Sequence, residues 1–282
     1  LTEIELQKLS IFLSKTFKKN LYLQFKKEFS VDFLDWLYNK NPNGKAITYN
    51  IFKGGEIIAH SSLIPTVIKY NNVNYKSALS VFTAVDEKYR GLYLFNAVTS
   101  KTLEFAKSNG IRFVLGTATD LNAELFVKCY KFKLISPLDI KVGFLKFEQE
   151  NKISNNFNVF WNDETLSWRF NNPRFKYKIN EDKKKFRIYN DNYKIFKIEM
   201  SSFSKINREN LFNNQPRIKY DINPFKVWIG LGSYSTNKGV CFDLPKFLRP
   251  SGLNLMIKDL SFHDIIIRKE EIKFNLFDFE VF

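Results

Sequence analysis

The hydrophobic pattern after residue 45 predicts three consecutive strands. Apolar and polar residues alternate over residues 46–52, 56–70 and 74–86, which is the period of a β-strand with one buried face. Lys53-Gly54-Gly55 and Asn71-Asn72 separate these runs and supply residues that tolerate the positive φ of hairpin turns. We therefore expect an antiparallel meander in this region.

An alternation of helices and strands is predicted on either side of the meander. The first thirty residues indicate an amphipathic helix, and residues from Leu94 to Ala106 repeat with a helical period up to a stop at Asn109-Gly110. Residues 111–117 form an apolar run typical of a central strand. The remaining predictions are a helix over 123–129, capped by Asp120 or Asn122, and a strand over 132–147 that Pro137 interrupts.

The second half of the chain contains a weak internal repeat of the first. Residues 148–165 are polar and rich in Asn, which is typical of a connection between domains. We place one domain at 1–150 and a second at 151–282. The run from Trp168 to Pro173 resembles the run from Trp36 to Pro42, and both precede strand patterns, so we expect a second, degenerate copy of one architecture.

Composition and charge narrow the function classes. The net charge is +15 and divides evenly, with +7 in residues 1–150 and +8 in 151–282, so no concentrated basic arm indicates a nucleic-acid partner. Cys129 and Cys241 lack the spacing of metal ligands, and we expect no metal. No apolar stretch approaches the 20 or so residues of a membrane span, and the N-terminal residues do not resemble a signal peptide. The expected location is cytoplasmic.

The segment from Ala84 to Phe95 carries the most informative chemistry. It ends a strand, passes through Gly91 and opens a helix. The first amides of a helix lack partners within it and lie at the positive end of its dipole, so such a corner suits a phosphate. Arg90 adds positive charge. A plain turn, in which Gly91 supplies only conformational freedom, is the alternative interpretation.

The order of elements and this segment resemble the GNAT acyltransferase superfamily. Val85, Arg90 and Gly91 match the family's loop, and Leu94-Phe95 match its bacterial variants linked to polysaccharide synthesis. The resemblance implies an α/β (α+β) fold with a mixed, mostly antiparallel central sheet flanked by helices. It also implies that the loop binds the pyrophosphate of acetyl-CoA or another short acyl-CoA, and that the Val85 amide polarises the thioester. The implied donor-binding residues are Thr83, Ala84, Val85, Arg90, Gly91, Leu92, Tyr93, Leu94, Phe95 and Asn122.

The expected reaction is the direct attack of an amine on the thioester. The repeat and the ending at residues 277–282 resemble tandem-GNAT sugar N-acyltransferases, which implies an amino-sugar acceptor, expected to be nucleotide-linked, in a site shaped by the second copy. A peptide, protein or antibiotic amine is an alternative acceptor. A non-catalytic binding module for nucleic acid or an acidic surface is an alternative function. The oligomeric state stays open.

Candidate catalytic side chains are few. His60 is the preferred base because an imidazole titrates near neutral pH, and Asp86 is an alternative at the strand end, as is its neighbour Glu87. His263 is a weaker candidate. By the resemblance, Tyr130 is a candidate acid for the leaving thiolate. Each candidate has a structural alternative. The histidines would only hydrogen-bond a neighbour, the Asp86 and Glu87 carboxylates would be solvated at the surface, and Tyr130 would pack in the core.

Overall fold

The computed structural model describes residues 1–17, 29–144, 148–149, 156–181, 185–190, 197–204, 225–232, 234–235, 241–245, 249, 253–261 and 266–279. The first half contains α1 (Glu3–Phe17), α2 (Val31–Tyr38), β1 (Ile47–Lys53), β2 (Glu56–Tyr70), β3 (Val73–Val85), α3 (Leu92–Ser108), β4 (Phe113–Ala118), α4 (Asp120–Tyr130), β5 (Lys133–Pro137), β6 (Asp139–Phe144) and β7 (Glu148–Gln149). The second half contains β8 (Phe157–Val159), α5 (Asp163–Phe170), β9 (Tyr177–Glu181), β10 (Lys185–Asn190), β11 (Lys197–Ser204), β12 (Phe225–Leu231), β13 (Tyr234–Ser235), β14 (Cys241–Asp243), β15 (Asn254–Asp259), β16 (Ile272–Asn275) and α6 (Leu276–Phe279).

The predicted meander is confirmed. β1 pairs antiparallel with β2, and β2 pairs antiparallel with β3. Gly54 and Gly55 adopt φ values of 58° and 79° in the first turn, and Asn71 and Asn72 adopt 48° and 65° in the second. Consecutive positive φ values are the geometry of a tight hairpin turn that matches the twist of its strands.

The later elements follow the prediction with two changes. Thr119 caps α4, accepting from the Asn122 backbone N–H at 3.3 Å, so the helix begins at Asp120 and the predicted caps Asp120 and Asn122 lie inside it. In place of the one strand predicted over 132–147 there are two, because β5 ends at Pro137 and β6 runs from Asp139 to Phe144 toward different partners; residues 145–147 lie outside the described part of the chain. The predicted N-terminal helix is confirmed over 3–17, and residues 18–28 lie outside the described part of the chain.

The main sheet runs through both halves of the chain. Its order is β5-β15-β4-β3-β2-β8-β16-β12-β11-β10-β9, with β1 beside β2 and with β6 between β12 and β14. β15 from the second half lies between β4 and β5, whereas β6 from the first half pairs with β12. Each half therefore contributes one strand to the other's part of the sheet.

The two halves also share a hydrophobic core. One cluster of buried side chains extends from Leu9 in α1 through Leu115 and Phe157 to Phe277 in α6. The predicted division at residue 150 stays a prediction, and the exchanged strands and common core indicate that neither half completes its own packing. In the part of the chain that the structure describes, no helix has the length and apolarity needed to cross a membrane.

Matched contacts support the predicted repeat. The Trp36 and Trp168 rings stack with centroids 4.5 Å apart, and each indole N–H donates to the other residue's carbonyl, at 2.9 and 3.0 Å. Shortly after each helix, an Asn-Pro turn repeats one bond: the Asn41 side-chain oxygen accepts from Asn43 N, as that of Asn172 accepts from Arg174 N. The degenerate second copy stays a prediction that these pairs favour.

We predict that Trp36→Phe lowers the free energy of unfolding by about 1 to 3 kcal/mol, because it removes the indole hydrogen bond to the Trp168 carbonyl and weakens the stacked pair. Chemical denaturation of the single variants and of the double variant Trp36→Phe, Trp168→Phe measures the coupling. We expect the double variant to lose less than the sum of the single losses. Additive losses would contradict a direct link between the two tryptophans.

Candidate functional site

An opening lies between β3 and β4. The two strands pair in parallel only from Ser77–Phe113 to Leu79–Leu115. Beyond that point β3 continues to Val85 beside β2, and β4 continues to Ala118 beside β15. No strand of the described residues fills the gap between the separating ends. We call this opening the splay.

A bulge in β3 coincides with the start of this splay. Phe82 and Thr83 lie opposite Ser61, because the pairing shifts by one residue between Ser62–Val81 and His60–Ala84. Phe82 adopts a φ of 54°, a conformation that costs an L-residue roughly 1 to 2 kcal/mol. Its ring packs edge-on against Phe29 at 5.1 Å, and this packing offsets part of the cost. Bulges end regular pairing and redirect a strand, as this one does.

The Val85 amide faces the splay. The Asp86 N–H donates to the Ile58 carbonyl of β2 at 2.8 Å. Successive N–H groups along a strand point to opposite edges, so the Val85 N–H points away from β2 and toward the β4 side. The backbone therefore presents a hydrogen-bond donor at the end of the opening.

The N-terminus of α3 closes the same corner. Gly91 is the N-cap residue and provides no side-chain acceptor for the first amides of the helix. Its φ of 176° is ordinary extended backbone, and no atom of the described residues lies within 4 Å of the position a β-carbon would take. The backbone conformation therefore does not require glycine at position 91. A ligand that approaches the backbone closely would require it, because a side chain would occupy the same space.

The bulky residues of this first turn do not block the corner. Tyr93 is 81% exposed, and Leu94 packs in a small cluster with Val85 and Val98. Phe95 lies against Phe126 and Tyr130, with ring centroids 5.8 and 6.3 Å away. Arg90 is exposed beside the free amides. We call Val85, Arg90, Gly91 and the first turn of α3 the α3 corner.

The Asp86 side chain links α1 to the turn that precedes the α3 corner. One carboxylate oxygen pairs with Lys15 Nζ of α1 at 2.7 Å, and the other accepts from the Lys88 backbone N–H at 3.0 Å. The hydrogen bond from Lys15 is the main cause of a lowered pKa for Asp86. A carboxylate so bound is a weak base, and its contacts favour a structural role. Glu87 is exposed in the turn that follows.

His60 lies behind the bulge in a buried chain of hydrogen bonds. Its Nδ1 is 2.6 Å from Asn50 Oδ1, and its Nε2 is 3.1 Å from the Tyr38 hydroxyl. The Tyr38 hydroxyl is 3.0 Å from Ser62 Oγ, which donates to the Val81 carbonyl at 2.8 Å. Burial lowers the pKa of His60 to about 3. The imidazole is therefore neutral at physiological pH, fully enclosed, and linked to the residue that precedes Phe82.

The remaining candidates lie on α4. Asn122 is exposed near the end of β4, across the splay from the α3 corner. Tyr130 is buried at the other end of α4, where its ring contacts Phe126 at 5.5 Å. Burial raises the pKa of Tyr130, which keeps the phenol protonated at neutral pH. Thr83 lies in the bulge with its hydroxyl 3.1 Å from Ser61 Oγ. His263 lies outside the described residues.

The equivalent opening in the second half is filled. β11 and β12 pair in parallel over only three residues, from Lys197–Lys226 to Glu199–Trp228, as β3 and β4 do. β6 occupies one edge of β12, and β16 takes the other edge at Gly230 and Leu231, where β11 has separated. A β-carbon on Gly230 would lie 2.4 Å from the Phe274 carbonyl oxygen, so glycine permits this close approach. In the described part of the chain, the opening between β3 and β4 therefore contains no strand, whereas its counterpart beside β12 contains β16.

The overall structure resembles solved acyltransferases. A protein from Enterococcus faecalis described as a probable N-acyltransferase aligns with a TM-score of 0.60 at 9% identity, over 92% of this chain and 71% of that one. A GCN5-related N-acetyltransferase from Anabaena variabilis aligns over the same shares, with a TM-score of 0.58 at 11% identity. The chain has the GNAT fold. Eis1 from Mycobacterium abscessus gives a TM-score of 0.52 at 8% identity, over 92% of this chain and 72% of that one.

The predicted fold class is therefore confirmed, and the GNAT fold is matched across both halves of this chain. No protein-family model matches the sequence, and no curated protein matches it. Among the described residues, no three His, Cys, Asp or Glu side chains lie together as a group that could hold a metal.

The sequence interpretation missed the residues behind the bulge. Tyr38, Asn50 and Ser62 complete the chain around His60, and Phe82 adopts the unusual φ. The polar run His60-Ser61-Ser62 inside an otherwise apolar strand was the available signal, because buried polar side chains need partners. The left-handed Phe82 had no such signal.

Proposed function

We propose that this chain is an N-acyltransferase that moves an acetyl or other short acyl group from acyl-CoA to an amine. The open splay beside β3, with the Val85 amide at its end and the uncapped start of α3 at its mouth, is the observation that carries the proposal. The GNAT fold supports it. Direct acyl transfer requires a binding site for acyl-CoA and a hydrogen-bond donor for the thioester oxygen, but no nucleophilic side chain.

The α3 corner suits the pyrophosphate of coenzyme A. The first amides of α3 lie at the positive end of the helix dipole, where an anion is stabilised, and Arg90 adds a cation. The pantetheine arm would extend along the unpaired edges of β3 and β4, where backbone groups are the available partners. Asn122 stands on the opposite side of this path.

In the proposed reaction the amine nitrogen attacks the thioester carbon. An N–C bond forms, the C–S bond breaks, and the negative charge that develops on the carbonyl oxygen accepts a hydrogen bond from the Val85 amide. The amine loses a proton to solvent, and the thiolate gains one. Tyr130 stays the predicted source of that second proton, the role that the family resemblance implies, and its buried ring would have to turn toward the splay to fulfil it. His60 and Asp86 then act as positioning residues behind the site.

The acceptor that we propose is the amine of a nucleotide-linked amino sugar, in a site that the second half helps to shape. Turnover assays with acetyl-CoA, with thiol release as the signal, test it against three panels: nucleotide-linked amino sugars, free amino sugars, and peptide or antibiotic amines. Mass spectrometry of the products identifies the acylated amine. Release only with peptide or antibiotic amines would move the acceptor to that class, and no release with any amine would count against acyl transfer.

Binding of coenzyme A to the α3 corner yields the next prediction. Arg90→Glu should weaken binding by at least tenfold, because it replaces a cation with an anion beside a diphosphate. Gly91→Ala should leave the melting temperature nearly unchanged, since its β-carbon meets open space, yet weaken coenzyme A where the backbone touches phosphate.

Isothermal titration with coenzyme A measures both effects, and the wild-type chain should bind one molecule. Lys76→Glu, an equal charge reversal at an exposed site on β3, is the matched control and should retain affinity. Equal losses in Lys76→Glu and Arg90→Glu would indicate a general charge effect and contradict a site at the corner.

A further inference from the structure

The side of the splay formed by β4 has a single neighbouring strand. Beyond the pair Leu79–Leu115 β3 has separated, and β4 pairs only with β15 in the described part of the chain, as far as Ala118–Asn254. We call residues 116–122, which include the end of β4 and the first turn of α4, the β4 wall. A segment with few backbone hydrogen bonds opens locally at low free energy. The order of the β4 wall therefore depends on β15, which comes from the second half of the chain.

One side chain of β15 reinforces this wall. The Asn254 amide nitrogen donates to the Ala118 carbonyl at 3.1 Å and to Asp120 Oδ1 at 2.6 Å. Asn254 is 7% exposed, so both bonds are made from a buried side chain, and a hydrogen bond to a carboxylate is stronger than one to a neutral acceptor. The Asn254 amide therefore joins the last residue of β4 to the first residue of α4.

This junction lies beside a predicted contact of the acyl donor. Asn122 follows Asp120 by two residues, and residues 120–122 are exposed, while the buried side chains of α4 begin at Ala123. Thr119 accepts from the Asn122 backbone N–H and so fixes Asn122 within the helix. Asn254 in turn fixes the start of the helix against the sheet. The position of Asn122 across the splay therefore depends on a residue of the second half.

We propose that Asn254 is a positioning residue for acyl-CoA, which holds the β4 wall at the distance from β3 that the pantetheine arm requires. The inference rests on the proposed function and gives the second half a part in donor binding as well as in the acceptor site. Without the Asn254 amide, the β4 wall has to be ordered when the donor binds, and that ordering lowers affinity. Val85 lies on the opposite side of the splay, so polarisation of the thioester should be unaffected.

Asn254→Ala in the full chain tests the proposal. It should raise the KM for acetyl-CoA and the Kd for coenzyme A by about five- to tenfold, the loss expected for a charge-assisted hydrogen bond, and change kcat by less than about twofold. Hydrogen–deuterium exchange without ligand should become faster at residues 116–122.

Asn41→Ala is the matched control. Asn41 is also buried, and its amide nitrogen donates to the Pro65 carbonyl at 2.7 Å. Pro65 pairs with Ala78, which lies about 23 Å along β3 from Val85. Asn41→Ala should lower the free energy of unfolding to a similar extent as Asn254→Ala and leave the KM for acetyl-CoA unchanged.

Two variants of the exposed Asp120, both expected to fold, test the bond itself. Asp120→Asn and Asp120→Ala remove the same charge, but only asparagine keeps an oxygen acceptor for Asn254, so Asp120→Ala should bind coenzyme A about threefold or more weakly than Asp120→Asn. In the Asn254→Ala background this difference should vanish.

A wild-type chain that binds no coenzyme A would overturn the proposed function and this inference with it. Binding by the wild type, together with an unchanged KM in Asn254→Ala, would overturn the inference alone. So would a difference between the two Asp120 variants that persists without the Asn254 amide, or an equal rise in KM in Asn41→Ala.

Discussion

Val85→Pro is expected to lower kcat for amine acylation by about 10² to 10³ while changing the affinity for coenzyme A by less than fivefold. Proline removes one N–H group, and removal of a single oxyanion donor costs about that much in other acyl transfers. The Val85 N–H points away from β2, so its loss breaks no bond of the β2–β3 ladder. Steady-state kinetics and titration with coenzyme A separate the two effects.

Ala84→Pro is the matched control for the direction of these amides. The Ala84 N–H points to the opposite edge from that of Val85, toward β2, so proline there removes a ladder bond and should lower stability by roughly 3 kcal/mol or more. Val85→Ala, which shortens the side chain and keeps the amide, should retain most of the wild-type kcat. A Val85→Pro enzyme with normal kcat would show that the carbonyl is polarised elsewhere.

Local signals in the sequence were enough for the meander and for the corner that follows it. The meander followed from alternation and from residues suited to positive φ, and all four turn residues at 54, 55, 71 and 72 adopt it. The α3 corner followed from a strand, a glycine and a helix period in direct succession. Each of these depends on interactions between residues close in the chain, which a single sequence displays.

Long-range features were beyond such reasoning. The exchange of β6 and β15 joins segments more than 80 residues apart, and no periodicity specifies which strand lies beside β4. The catalytic role of His60 stays a prediction for a related reason, because its residue type indicates titration near neutral pH whereas its burial in the fold lowers its pKa. Burial is a property of the whole fold, which the local sequence around His60 does not display.

His60 should make the protein sensitive to acid. Its pKa is about 3 in the folded chain, against about 6.5 when unfolded. Between these values only the unfolded state binds the proton, so stability falls as pH decreases from 6.5 toward 3. The shift corresponds to a total of about 5 kcal/mol, of which about 3 kcal/mol is lost by pH 4.5. Above pH 6.5 the contribution is constant.

His60→Gln should remove this dependence, because glutamine keeps a donor and an acceptor for the Asn50 and Tyr38 side chains but does not titrate. Urea denaturation of both proteins at several values between pH 4.5 and 7.5 measures the difference. Asp278 acts in the opposite direction, since burial raises its pKa to about 6 and its protonation stabilises the fold as pH falls. It is present in both proteins and cancels in the comparison.

The same pair of proteins separates a positioning role from a catalytic one. A neutral, enclosed His60 that holds Tyr38 and Ser62 behind the bulge should affect kcat by a constant factor across pH 6 to 9, without changing the shape of the pH–rate profile. A catalytic base would remove a limb of that profile when replaced. If His60→Gln loses a limb near pH 6 to 7 and keeps the acid sensitivity of the wild type, the imidazole is accessible and the buried chain of hydrogen bonds does not define its role.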